Sequence, residues 1–270
     1  LKTRTLGIVV VVLLLLVAVV GGGLWAVGRL SFLDSYRSEY DYTVRVSADE
    51  PISNVTIFVP LPVHDGTSDV GTVVETREYL KPDSWTYSVV ETRHGPMLRI
   101  QADEIPAEPT YHRAVIENDR LVRWEQIPVE EYVQNDSETV RVEHDAVEVN
   151  ADLATNRSID TKSPERAEPL LNPRSNARAV PCEWPHDADE TQCYSYDTMI
   201  FVEYDGPETT NLTVTSELRG GNSWWVGGWN FNEYTDRVYV YDLPGDQQGW
   251  VVVQGELQTG VGNYPLNPPQ

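Results

Sequence analysis

From residue 38 onward the chain alternates. Tyr40, Tyr42, Val44 and Val46 fall on one side of an extended backbone and Asp41, Thr43, Arg45 and Ser47 on the other. Only a strand with one buried face satisfies that period. Similar runs predict strands over 55–59, 85–91, 97–102, 140–149, 199–204, 212–218, 238–241 and 250–257, with a bulge where the phase slips at His144 and Asp145. Turn pairs such as Asp65-Gly66, Gly206-Pro207 and Pro244-Gly245 separate them. Beyond the N-terminal apolar run no segment shows a convincing helical period. The expected fold class is therefore all-β, an antiparallel β-sandwich, single or doubled. Residues 151–181 carry Pro164, Pro169, Pro173 and Pro181 with few β-branched or aromatic side chains. They predict a long loop or linker (151–193) between β-rich halves at 40–150 and 194–258, with a tail at 259–270.

The N-terminus follows a different rule. Residues 6–28 form 23 consecutive uncharged positions, about 34 Å as a helix and long enough to cross a bilayer. Lys2 and Arg4 precede the run and the acidic bulk follows. The positive-inside rule then predicts a cytoplasmic stub (1–5), a transmembrane helix (6–28), a juxtamembrane linker (29–39) and an extracellular remainder on the cell membrane. A cleaved signal peptide is the rival, but its apolar core is typically about 7–15 residues and ends in an A-x-A-like site. This run is longer and closes on Gly21, Gly22, Gly23, Leu24 and Trp25. Ala18, Gly22 and Ala26 recur every four residues, the spacing that lets two membrane helices approach closely and form a homo-oligomer. The lipid bilayer is thus the first partner implied.

Charge excludes other partners. Residues 31–270 hold 42 acidic side chains against 17 basic ones, a formal charge of −25. Nucleic acid needs clustered Lys and Arg to displace counterions, and peripheral attachment to anionic headgroups needs the same sign. Of the 20 basic residues only Lys2, Lys81 and Lys162 are lysines. An acidic, lysine-poor surface is screened at molar salt, where the Debye length falls to about 3 Å. In composition and layout the chain resembles membrane-anchored surface proteins of halophilic archaea. That resemblance implies a concentrated-salt environment and carries no activity with it; an ordinary acidic secreted domain is the alternative.

Little in the sequence speaks of catalysis. It holds no G-x-S-x-G, H-E-x-x-H, P-loop or G-x-G-x-x-G pattern, and nothing implies a cofactor or a metal. His64-Asp65 and His144-Asp145 are adjacent pairs whose side chains diverge on a strand. Glu130-Glu131 and the group Asp187, Asp189 and Glu190 read as solvated surface before they read as calcium ligands. Cys182 and Cys193 are the only cysteines and predict a disulfide; a metal site with His186 lacks the usual spacing and ligand number. Sequons at Asn54, Asn135, Asn156 and Asn211 predict glycosylation, with Asn54 and Asn211 facing away from the apolar side of their strands. Trp224, Trp225, Trp229 and Tyr234 form the densest aromatic strip. It suits either a core or a recognition surface for a glycan or an envelope protein, and because 225 and 229 share a face opposite to 224, at least one tryptophan should look outward. The expectation is a membrane-anchored structural or recognition module of the cell envelope. A glycan- or protein-binding module and a hydrolase with an unrecognised site are the alternatives.

Overall fold

Strand β1 (Arg37–Ala48) buries Tyr40, Tyr42, Val44 and Val46 and exposes Glu39, Asp41 and Arg45, so the period of the sequence becomes the two faces of a sheet. The computed structural model describes residues 16, 19–23, 26–76, 85–106, 110–117, 120–133, 138–142, 147–182, 191–245 and 248–264. A helix α1 (26–35) leads into β1. There follow β2 (Ile52–Val63), α2 (Asp69–Thr76), β3 (Trp85–Thr92), β4 (Gly95–Ile105), β5 (Thr110–Glu117), β6 (Arg120–Ile127), β7 (Thr139–Val142) and β8 (Val147–Thr155). The chain then forms β9 (Leu170–Asn172), β10 (Ser175–Val180), β11 (Gln192–Asp205), β12 (Asn211–Trp225), β13 (Trp229–Pro244) and β14 (Gly249–Gly262).

The architecture is all-β and antiparallel. One curled, sandwich-like sheet runs β3-β4-β2-β11-β14-β13-β12-β1-β8, with β10 added to β11 and β9 to β2; β6-β5-β7 form a second, small sheet. The two β-rich halves of the sequence are not separate sandwiches, because β1 bonds to β12 and β2 bonds to β11. Curling brings β1 over β2, where the Tyr42 hydroxyl donates to the Pro60 carbonyl at 2.7 Å and Ser216 of β12 reaches the same oxygen at 3.2 Å. Helix α2 packs on β2, β3 and β8, touching both ends of the sheet path. Gly71 makes that closure tight, since a Cβ there would lie 2.8 Å from Val89 and 2.9 Å from Leu61. Glu75 accepts the Val89 N–H at 2.6 Å and so covers a donor of an edge strand.

Two glycines let tyrosines cross the sheet. Gly220 is opposite Tyr234 and Gly255 opposite Tyr196, and a Cβ at either would sit 2.2 Å from the facing ring. Each ring therefore lies flat over its glycine, which returns apolar contact to a position without a side chain.

Several expectations are corrected. The run 140–149 is not one bulged strand: it divides into β7 of the small sheet and β8 of the main one, with residues 143–146 outside those described. The stretch 151–193 contains the second half of β8, β9 and β10, and buries Ile159, Leu170 and Leu171. A helix, α2, forms where no helical period was evident. Most of the apolar run, Ala18 included, lies outside the described residues. Among those described, no helix is long and apolar enough to cross a membrane; α1 covers 26–35, the last three residues of the stretch read as the span and the first seven of the stretch read as linker.

Candidate functional site

The aromatic strip is the tip of the β12–β13 hairpin. Trp225 pairs with Trp229 across a turn in which Gly227 has φ +67°, a conformation glycine adopts without strain. The strip is split by strand parity. Trp224 is 4% exposed, stacked on Tyr36 (5.9 Å, 16° between planes) and edge-on to Phe32 (6.2 Å). Trp225 and Trp229 are 42% and 68% exposed, with their rings edge-to-face at 5.8 Å. Val226 and Phe231 are exposed beside them, whereas Tyr234 is buried and donates its hydroxyl to the Pro169 carbonyl at 2.7 Å. The Trp225 N–H donates to Ser35 Oγ at 2.8 Å, so α1 lies along the hairpin. Val27, Leu30 and Leu33 of α1 are also exposed, and residues 220–232 contain no charged side chain.

Buried polar chemistry lies deeper in the same strands. Asp236 is fully buried and accepts from Arg174 Nη2 (2.7 Å), the Tyr196 hydroxyl (2.7 Å) and the Leu171 N–H (2.8 Å). Burial pushes its carboxyl above the usual 3.8, and the guanidinium and hydrogen bonds pull the other way. Glu168 accepts from both Arg157 guanidinium nitrogens at 2.8 Å, from the Asp160 N–H and from the Tyr40 hydroxyl; burial and that carboxylate drive Tyr40 well above its ordinary value. Asn222 bonds both backbone groups of Ile159 at 2.9 Å, accepts from Ser38 and donates to Asn232. These groups clamp residues 157–174 onto the sheet, and their hydrogen-bonding capacity is spent on one another. None of them was singled out from sequence. The signal was the inward phase of Asn232, Tyr234 and Asp236, extending β13 well before residue 238.

Cys182 and Cys193 form the expected disulfide, Cα–Cα 5.3 Å, which ties the end of β10 to β11, where Val180 faces Cys193. Asn54 is exposed, and its amide donates to Asp205 at 2.6 Å; Asn211 is half-buried and donates to Asp49 at 2.8 Å; Asn156 is exposed in the turn after β8. Asn135 lies outside the described residues. His64 and Asp65 do not diverge: they occupy a tight turn, and Nε2 meets Oδ2 at 3.4 Å on the open surface. Glu131 pairs with Arg113 at 3.0 Å, while His144, His186, Asp187, Asp189 and Glu190 fall outside the described residues. Among the described residues no three His, Cys, Asp or Glu side chains group as a metal site. No family model matches the chain, and comparison with curated proteins and with solved structures finds no match.

Proposed function

We propose that the chain is a membrane-anchored module of the cell envelope, presenting its acidic β-domain outside the cell in a structural or recognition role. The observation that carries this reading is the seat of α1. Helix α1 takes in the end of the apolar run, residues 26–28, and packs on Trp224 through Phe32, with Tyr36 just beyond the helix stacked on the same ring. The buried carboxylates are consumed by internal clamps, and the His64-Asp65 pair lies on an exposed turn, so the described residues favour this role over hydrolysis. The test is fractionation of cells making the full chain. It should stay with membranes through an alkaline carbonate wash, and protease added to intact cells should remove the β-domain; release by carbonate, or complete protection, overturns the reading.

Two finer features belong to the same proposal. The −25 charge after residue 30 repels itself in dilute buffer and is screened near molar salt, so the full chain in neutral detergent should melt higher at molar salt. An unchanged melting temperature removes the halophilic assignment. Asn156 is the sequon best placed for a glycan, since modification at Asn54 or Asn211 sacrifices a hydrogen bond to Asp205 or Asp49.

A further inference from the structure

The hairpin tip breaks the rule that governs the rest of the surface. The chain is 23% charged, yet residues 220–232 have no charge, and that interval exposes Trp225, Val226, Trp229 and Phe231. Another outward aromatic group behaves differently. Phe58, Phe201 and Trp250 pack on one another across β2, β11 and β14, and Arg93 and His94 cover Trp250 at 5.5 and 4.6 Å. At that group a charged and a polar side chain cover the outward tryptophan; at the tip Trp225 and Trp229 cover only part of each other and stay 42% and 68% exposed.

Position supplies the occupant. Trp225 is bonded to Ser35, seven residues beyond Gly28, the end of the apolar run. Seven helical residues advance about 10 Å, and the headgroup layer on each side of a bilayer is roughly 5–8 Å deep. Arg37 is opposite Ser223 in the antiparallel β1–β12 pair, so the chain before residue 37 and the hairpin beyond residue 223 leave the sheet at the same end, which directs the turn toward that layer. Tryptophan concentrates there because one side of the indole is apolar and the other donates a hydrogen bond. An acidic domain is repelled by anionic headgroups, so a contact made without charge is the form open to it.

We propose that Trp225, Val226, Trp229 and Phe231 form a second membrane contact, lodged in the outer headgroup layer beside the anchor and fixing the orientation of the β-domain on the bilayer. This rests on the anchored reading above, and the experiment separates the two. The native cysteines are joined to each other, so a single introduced thiol takes a fluorescent label selectively. Full chains carrying Trp229→Cys, Trp225→Cys or Glu208→Cys are labelled with an environment-sensitive dye and reconstituted into phosphatidylcholine vesicles. Glu208 is exposed in the turn before β12, at the opposite end of a strand roughly 45 Å long.

Labels at 229 and 225 should emit at shorter wavelength than the label at 208 and be quenched by nitroxides borne at the headgroups, with no quenching at 208. A chain that fails to float with the vesicles overturns the anchor, and with it this contact. One that floats while the label at 229 stays in water overturns the contact alone. A blue-shifted label that headgroup nitroxides do not reach overturns it in favour of a protein cover, such as a second copy. Trp229→Glu, read from a label at 225, should abolish the quenching while the melting temperature is retained; quenching that persists also sinks the proposal.

Discussion

Strand β13 holds two opposite solutions seven residues apart. Asp236 has no exposure and is surrounded by three donors, whereas Trp229 is 68% exposed at a tip that carries no charge at all. Burying a carboxylate is costly unless it is paired, and exposing an indole is unfavourable unless something covers it. At Asp236 the fold supplies the compensation itself. At the tip the described residues do not, and Trp229 stays bare. The same division separates Trp224, packed under α1, from its neighbour Trp225.

The largest effect is expected where the compensation is removed. Arg174→Met leaves Asp236 buried without its cation, and losing one member of a buried pair typically costs about 3–5 kcal/mol. The pH dependence identifies the cause. Burial already raises the Asp236 carboxyl above 3.8, and removing the guanidinium raises it further. For a carboxyl with a raised folded pKa, the linked stability is fully present below the unfolded value and is lost as pH rises through the folded one. Arg174→Met should therefore be least damaging in acid and fall further behind the parent as pH rises, in denaturant titrations at fixed molar salt. A pH-independent deficit would mean that Arg174 acts through packing on the Tyr196 ring, which lies 4.1 Å from its guanidinium.

Next in size is Trp224→Ala. This ring fills the space between the hairpin, Phe32 and Tyr36, and truncating a buried aromatic costs about 3 kcal/mol or more. A thermal melt of the full chain in detergent measures it. Because the same ring seats α1, its loss should also speed protease cleavage between residues 29 and 36. A small loss of stability with no faster cleavage would break the contrast between the two sides of the strip.

Much of the framework was legible from sequence, for identifiable reasons. Strands with one apolar face announce themselves by period, and the only two cysteines of the chain, 11 residues apart, have few fates. The tryptophan parity separating 224 from 225 and 229 needed only the knowledge that they sit on strands. What the sequence concealed is two-sided or non-local. Strands β5 and β6 leave Ile116, Leu121 and Val122 exposed and show no apolar face to recognise. Strands β9 and β10 are short and flanked by proline, and α2 has eight residues, too few for a period to emerge. In a chain with 42 acids, Glu168 and Asp236 look like any other surface carboxylate. Asp236 is paired by Arg174, delivered from a segment 62 residues away in the chain, and Glu168 by Arg157, brought back by the fold of its own loop.

The crossing glycines give a third, smaller effect. A methyl group at Gly220 or Gly255 would meet the ring of Tyr234 or Tyr196 at 2.2 Å, and overpacking of this kind costs about 1–3 kcal/mol. The two sites test the sealed cluster separately. Tyr196 bonds Asp236 directly, whereas Tyr234 bonds the Pro169 carbonyl. Gly255→Ala should therefore carry part of the pH signature of Arg174→Met, and Gly220→Ala a deficit flat in pH. Matching pH profiles for the two would show that displacement of Tyr196 leaves the Asp236 donors in place.

The smallest expected effect is the one that most sharpens the comparison. Trp225→Ala and Trp229→Ala remove side chains that are 42% and 68% exposed and meet edge-to-face. Exposed substitutions usually change stability by no more than about 0.5 kcal/mol, and an edge-to-face aromatic pair adds roughly 0.5–1.5 kcal/mol when well packed. The Trp225 N–H bond to Ser35 is a backbone contact and survives either change. Each single variant should accordingly melt within a degree or two of the parent in detergent, for a domain of this size, and the double variant should lose no more than either single one, since the pair is already broken. Removing the largest side chains on the hairpin would then leave the fold intact, which is the behaviour of residues retained for contact with a surface and not for the core. A loss approaching that of Trp224→Ala would instead place Trp225 and Trp229 with the sealed cluster and erase the distinction between the two ends of β13.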